Sequence, residues 1–180
     1  MRIIKEKTAA FVIDIQERLF PVMYKKENLL KNCEILIEAL VELSVPLIVT
    51  QQYTKGLGET IPEIRSHIPN FNYTEKHDFS CCGELSIIER LKKTGIENVI
   101  ICGIESHVCV LQTAVDLKET GMNPVVVTDC ISSRTEDNIV AAKERFRYEN
   151  IMMTSYESII FELTRSSTAP VFRTVSRLIK

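Results

Sequence analysis

Alternating strands and helices predict an α/β fold for this 180-residue chain, with a parallel sheet covered by helices on both faces. Three observations carry that reading. The strand-like runs are short, β-branched and almost continuously apolar, as strands buried on both faces must be. Between them lie stretches in which apolar residues recur at helical spacing. No internal repeat, low-complexity tract or linker divides the chain, so residues 1–180 read as one three-layer, doubly wound domain.

Thr8 to Ile15 (TAAFVIDI) is the first buried strand, and it carries a charge, Asp14, at its end. Leu29, Leu30, Cys33, Leu36, Ile37, Leu40 and Leu43 then mark an amphipathic helix over Asn28 to Leu43. Val45 to Thr50 is the second strand, with Pro46 at its start, where proline is tolerated. Gln51 to Asn70 is a long connection, a kind of segment that is often functional in compact domains. A short strand over Asn72 to Lys76 and a helix over Glu84 to Thr94 follow. Val99 to Cys102 is the fourth strand, and a helix from Ser106 to about Thr120 comes next. Pro124 to Thr128 is the fifth strand, and Ser133 with Glu136 forms the pattern of a capping box for a helix through Tyr148. Ile151 to Met153 is the sixth strand. Thr154 with Glu157 suggests a cap for the next helix, and a short helix closes the chain within Pro170 to Lys180.

Composition removes several function classes. At 45% apolar and 26% charged residues the chain can build a proper core, and its charge of -2 is mixed along the sequence. Without a basic stripe, neither nucleic acid nor a membrane surface is an expected partner. No apolar run reaches the roughly 18 residues of a bilayer span, and the first residues lack the apolar core of a signal peptide, which predicts a cytoplasmic protein. The six cysteines form no C-x-x-C pair, so neither a zinc ribbon nor a dithiol motif is indicated. Cys33, Cys102 and Cys130 fall in apolar or strand-end settings and read as inert, whereas Cys81 and Cys82 read as loop residues.

Three polar residues draw attention because each ends or follows a strand on the side where open α/β sheets bind ligands: Asp14, Lys76 and Cys109. Cys109 sits in the first turn of its helix. Unsatisfied N–H groups and the positive end of the helix dipole there favour a thiolate. Each residue also has an ordinary explanation: packing for Cys109, turn capping for Asp14, solvation for Lys76. Together they form a nucleophile, a base and a stabilising cation. Gly103 is read as a turn that lets backbone N–H groups converge into an oxyanion hole.

The motifs AFVIDIQ (Asp14), NYTEKHDFS (Lys76) and GIESHVCV (Cys109), together with TQQYTKGLGET and VVVTDCISSR, make the chain similar over nearly its whole length to the isochorismatase-like cysteine hydrolases. It most resembles the small isochorismatase-domain-containing proteins. That resemblance implies a six-stranded parallel sheet of order 3-2-1-4-5-6, with Asp14 as base, Lys76 as electrostatic partner and Cys109 as nucleophile. It also implies a non-proline cis peptide at Ile104–Glu105, which would aim the N–H groups of Glu105 and Cys109 at a substrate oxygen. A homo-oligomer is expected on the same ground.

Departures from the family pattern narrow the expectation. Isochorismatases proper lack the cysteine, which argues against vinyl-ether hydrolysis. The metal-binding histidines of the family's nicotinamidases are missing from Thr50-Gln51-Gln52-Tyr53, and His67, His77 and His107 do not recreate them, so neither a metal nor another cofactor is expected. His107 reads as packing, His77 as a neighbour of the site mouth, and Asp129 as a cap for the Ser132-Ser133 loop. Leu19, Phe20, Gln52 and Tyr53 follow the first two strands and are the candidate pocket lining. The expected function is hydrolysis of a C–N bond (amide, urea or carbamate) in a small molecule through a Cys109 thioester. The alternative is a non-catalytic oligomeric binding or scaffold protein of the same fold. A phosphoacceptor role for Asp14 is disfavoured because Ile13 and Ile15 flank it in place of an acidic cluster.

Overall fold

A computed structural model of the chain describes residues 2–180. Six parallel strands form one sheet: β1 (Thr8–Ile13), β2 (Leu47–Gln52), β3 (Thr74–Lys76), β4 (Asn98–Ile104), β5 (Asn123–Ser132) and β6 (Met152–Thr154), in the order β3-β2-β1-β4-β5-β6. The order reverses between β1 and β4, whose pairing runs from Thr8 opposite Asn98 to Ile13 opposite Gly103. In folds of this kind ligands bind beyond the carboxyl ends of the two central strands where the order reverses.

Every residue of β1 and β4 is buried, and successive side chains serve opposite layers. Ala10, Val12, Ile100, Cys102 and Ile104 pack with α1 (Lys26–Glu42) and the chain-terminal helices α7 (Tyr156–Thr164) and α8 (Phe172–Ile179). Ala9, Phe11, Ile13, Val99 and Ile101 pack on the other face, beneath α4 (Leu85–Lys93), α5 (Leu111–Glu119) and α6 (Glu136–Tyr148). The long connection after β2 is not irregular throughout, since it contains the short helices α2 (Thr54–Leu57) and α3 (Pro62–Ser66).

The structure corrects the sequence at four places. Strand β5 extends to Ser132 through an irregularity: Ile101 pairs with Val126, but Gly103 pairs with Ile131. Asp129 consequently lies within the strand, where its carboxylate accepts the Tyr156 N–H at the start of α7 instead of capping the Ser132-Ser133 loop. The cap of α6 is Thr135, which accepts from the Asn138 N–H, and the cap of α7 is Ser155, which accepts from the Ser158 N–H; Ser133 and Thr154 fill neither role. Gly103 is not a turn. It lies inside β4 at φ +121°, where a Cβ would stand 2.1 Å from the Ile13 carbonyl oxygen, so the glycine permits close approach of β1 and β4. Finally, Cys81 is not an open loop residue, because it is fully buried in a 3-10 turn (Cys81–Gly83).

Candidate active site

Asp14, Lys76 and Cys109 come from three separate segments on the carboxyl side of the sheet. Asp14 follows β1 with a left-handed backbone (φ 53°), which swings its fully buried carboxylate out of the strand line. Lys76, the last residue of β3, is equally buried, and its Nζ stands 2.7 Å from Asp14 Oδ2. Cys109 lies in a π-helical turn (Ser106–Val110) between β4 and α5; π turns are rare and are frequently found at functional sites. The Ile104–Glu105 peptide that leads into this turn is cis. The Glu105 carbonyl accepts from the N–H groups of Val108 and Val110, and its carboxylate binds Arg134.

The ammonium of Lys76 donates to Gln52 Oε1 (2.7 Å), the Phe79 carbonyl (2.9 Å) and the Asp78 carbonyl (3.2 Å). Its ion pair with Asp14 Oδ2 is as short as the shortest of these contacts, and the described residues offer that oxygen no other partner. Ser106 Oγ, in the turn that carries Cys109, is buried without a hydrogen-bond partner among the described residues. Both atoms lie in the segments that build this site. The other carboxylate oxygen, Asp14 Oδ1, accepts from Thr50 Oγ1 at 2.8 Å.

The electrostatics correct one expectation. Burial first, and the Asp14 charge second, push the Cys109 thiol up to about 12, and the opposing pull of Lys76 does not prevail. The resting group is a thiol, not the thiolate expected from its place in the first turn of a helix. The irregular turn and a 6% exposed side chain outweigh the dipole argument. For Lys76, burial works against the charge, but the attraction of Asp14 and of the neighbouring Cys109 and Cys81 sulfurs raises its proton affinity overall.

The remaining candidates divide between this centre and other parts of the fold. Gln52 orients Lys76 and donates its Nε2 to the His77 carbonyl. Tyr53 is 47% exposed, with its ring tilted against that of His77. Leu19 and Phe20 pack, half-buried, against the core on the α1 face. His107 Nδ1 is 2.9 Å from Ser133 Oγ, a structural contact, and His67 ends α3 near Glu34 and Glu38. Sequence reasoning missed Thr50, Gln16 and Cys81. Gln16 ties β1 to β2 through both its amide atoms at Gln52, and Cys81 stands 3.7 Å from Thr50 Oγ1. Thr50 was placed at the end of the second strand, but nothing local in the sequence marked its partner, which lies 36 residues away. Among the described residues no group of three or more His, Cys, Asp or Glu side chains is placed to hold a metal ion, and no helix is long and apolar enough to cross a membrane.

A family model described as the isochorismatase domain matches residues 8–158. The secreted isochorismatase effector Isc1 of Phytophthora sojae is 36% identical, over 99% of this chain and 87% of its own. Isochorismatase domain-containing protein 2 of Danio rerio is 32% identical, over 99% and 89%. Among solved structures, the MAR1 ribonuclease from Caenorhabditis elegans superposes with a TM-score of 0.94 at 37% identity, covering 99% of this chain and 92% of that one.

Proposed function

The chain belongs to the isochorismatase domain family, and from that premise we propose that it is a cysteine hydrolase that cleaves a C–N bond of a small amide, urea or carbamate through a covalent Cys109 thioester. The reading is carried by one observation: a buried carboxylate, Asp14, is held beside the thiol by a buried lysine 2.7 Å from its Oδ2.

Because the resting sulfur is protonated, attack and proton transfer belong to one step. As the Cys109 sulfur adds to the substrate carbonyl, its proton passes to Asp14 Oδ2. The oxygen of the tetrahedral adduct is received by the N–H groups of Glu105 and Cys109, on either side of the turn. Collapse breaks the C–N bond. Asp14 returns the proton to the departing nitrogen, which leaves as an amine while the acyl group stays on sulfur. Water then adds to the thioester with Asp14 again accepting a proton, and release of the acid restores the thiol. Throughout, Lys76 keeps a positive charge against a carboxylate that changes protonation state.

A phosphodiester is the competing substrate class, since the C. elegans relative is named a ribonuclease. The geometry favours the carbonyl reading. The Lys76 ammonium is fully buried and already engaged by three protein oxygens and the Asp14 carboxylate, which leaves it poorly placed to receive a phosphoryl group. The test is a panel of small amides, ureas and carbamates with a short RNA alongside, scored by product and by mass of the protein. Turnover of a carbonyl compound with an acyl adduct on Cys109, lost in Cys109→Ala, is expected. Undiminished turnover by Cys109→Ala, or RNA cleavage alone, would overturn the assignment.

A further inference from the structure

The Asp14 carboxylate has two oxygens in unlike surroundings, and one residue outside the triad sets the difference. Thr50, in the interior of β2, holds Asp14 twice: its carbonyl accepts the Asp14 N–H at 3.2 Å, and its hydroxyl donates to Oδ1 at 2.8 Å. A hydroxyl has a single hydrogen, so once that hydrogen points at Oδ1, the 3.7 Å contact with Cys81 Sγ has the thiol as donor. Cys81 is itself fixed, because its backbone N–H donates to Thr113 Oγ1 on α5, one turn beyond Cys109. The result is a directed chain, Cys81 S–H to Thr50 O–H to Asp14 Oδ1, in which every member is buried.

We infer that Thr50 is a positioning residue for the reaction, anchoring Oδ1 so that Oδ2 alone faces Cys109 as proton acceptor. This rests on the triad reading above and adds to it the part that fixes which lone pair does the work. Without the hydroxyl, Oδ1 is buried and one donor short. The carboxylate is then free to turn about its terminal torsion, and its charged form loses support. The titratable groups facing the pair are Lys76 from β3, Cys81 from the 3-10 turn and Cys109 from the π turn; Lys76 pairs with Oδ2, and Thr50 is the side chain that donates to Oδ1.

The experiment measures acylation of Cys109 by p-nitrophenyl acetate against pH, from the release of p-nitrophenol and the acyl adduct mass. Thr50→Val, which keeps the shape and loses the hydroxyl, is expected to acylate on the order of 10- to 100-fold more slowly, with the acid limb of its profile moved to higher pH. Thr50→Ser keeps the hydroxyl and is expected to restore the wild-type limb. A valine variant with the wild-type profile overturns the assignment, and so does a serine variant whose limb has moved; the serine result decides the matter if valine prevents folding. Asp14→Asn separates this from the larger claim. If it acylates like the wild type, the triad reading itself fails. If it is inactive while Thr50→Val is unaffected, the role of Thr50 alone is overturned.

Discussion

Cys109 keeps its proton at neutral pH because burial and a facing carboxylate both oppose the thiolate. Alkylation by iodoacetamide should therefore accelerate about tenfold per pH unit across pH 7–10 without levelling, since only the thiolate fraction reacts and its titration lies near 12. A plateau below pH 8, followed by mass spectrometry of the Cys109 peptide, would show a pre-ionised sulfur instead. Lys76 gives a second prediction. Lys76→Met leaves the buried Asp14 carboxylate without its counter-charge, and breaking such a pair from one side costs about 3–5 kcal/mol. The urea midpoint should drop accordingly. At this scale the sequence singled out the polar residues that end or follow strands, Asp14, Lys76 and Cys109. It was silent on Thr50 and took Cys81 for a loop residue, because their contacts are with partners tens of residues away. The protonation of Cys109 was illegible for the same reason, because desolvation is set by layers assembled from the whole chain.

Among the elements, β4 is the most constrained. A methyl group on residue 103 would meet the Ile13 carbonyl at 2.1 Å from a backbone at φ +121°, so Gly103→Ala must part β1 from β4 or distort both. The expected loss is at least about 3 kcal/mol, or about 6–12 °C in melting temperature for a domain of this size, read by calorimetry. Both strands carry a site residue at their carboxyl ends, so residual acylation should fall further than stability alone explains. Strand identity was legible from continuous β-branched runs, and so was the existence of each long helix. The far half of β5 was not. Its register shifts between Ile101 and Gly103, and pairing that breaks step leaves no period in the sequence to read. The helix caps failed for a smaller reason: Thr135 and Ser155 lie one or two positions from the residues whose spacing to a glutamate looked right.

For the molecule as a whole, buried thiols link folding to alkaline pH. Cys81 and Cys109 are pushed up to about 12, Cys82 and Cys130 to about 11, and burial leads in each case. In the unfolded chain the same thiols ionise near about 8.5. The folded state thus binds their protons more tightly. That contribution to stability is complete below about pH 8.5 and is lost as pH rises toward 11–12. Equilibrium urea unfolding should show a steady midpoint from pH 7 to 8.5 and a progressive fall above it, and Cys81→Ala should make that fall shallower. The two-layer core and the placement of the crevice were legible in the alternation of elements, whereas the strand order came from family resemblance and not from periodicity.

The lysine beneath the crevice has a further consequence. With three protein oxygens around its nitrogen and a carboxylate at its side, the head of Lys76 has the surroundings of a coordinated alkali ion, except that a four-carbon tether keeps it from diffusing away. A tethered ion of this kind cannot be exchanged for one from the medium or diluted out of its seat. The crevice carries its own electrolyte, and dialysis cannot strip that charge from it.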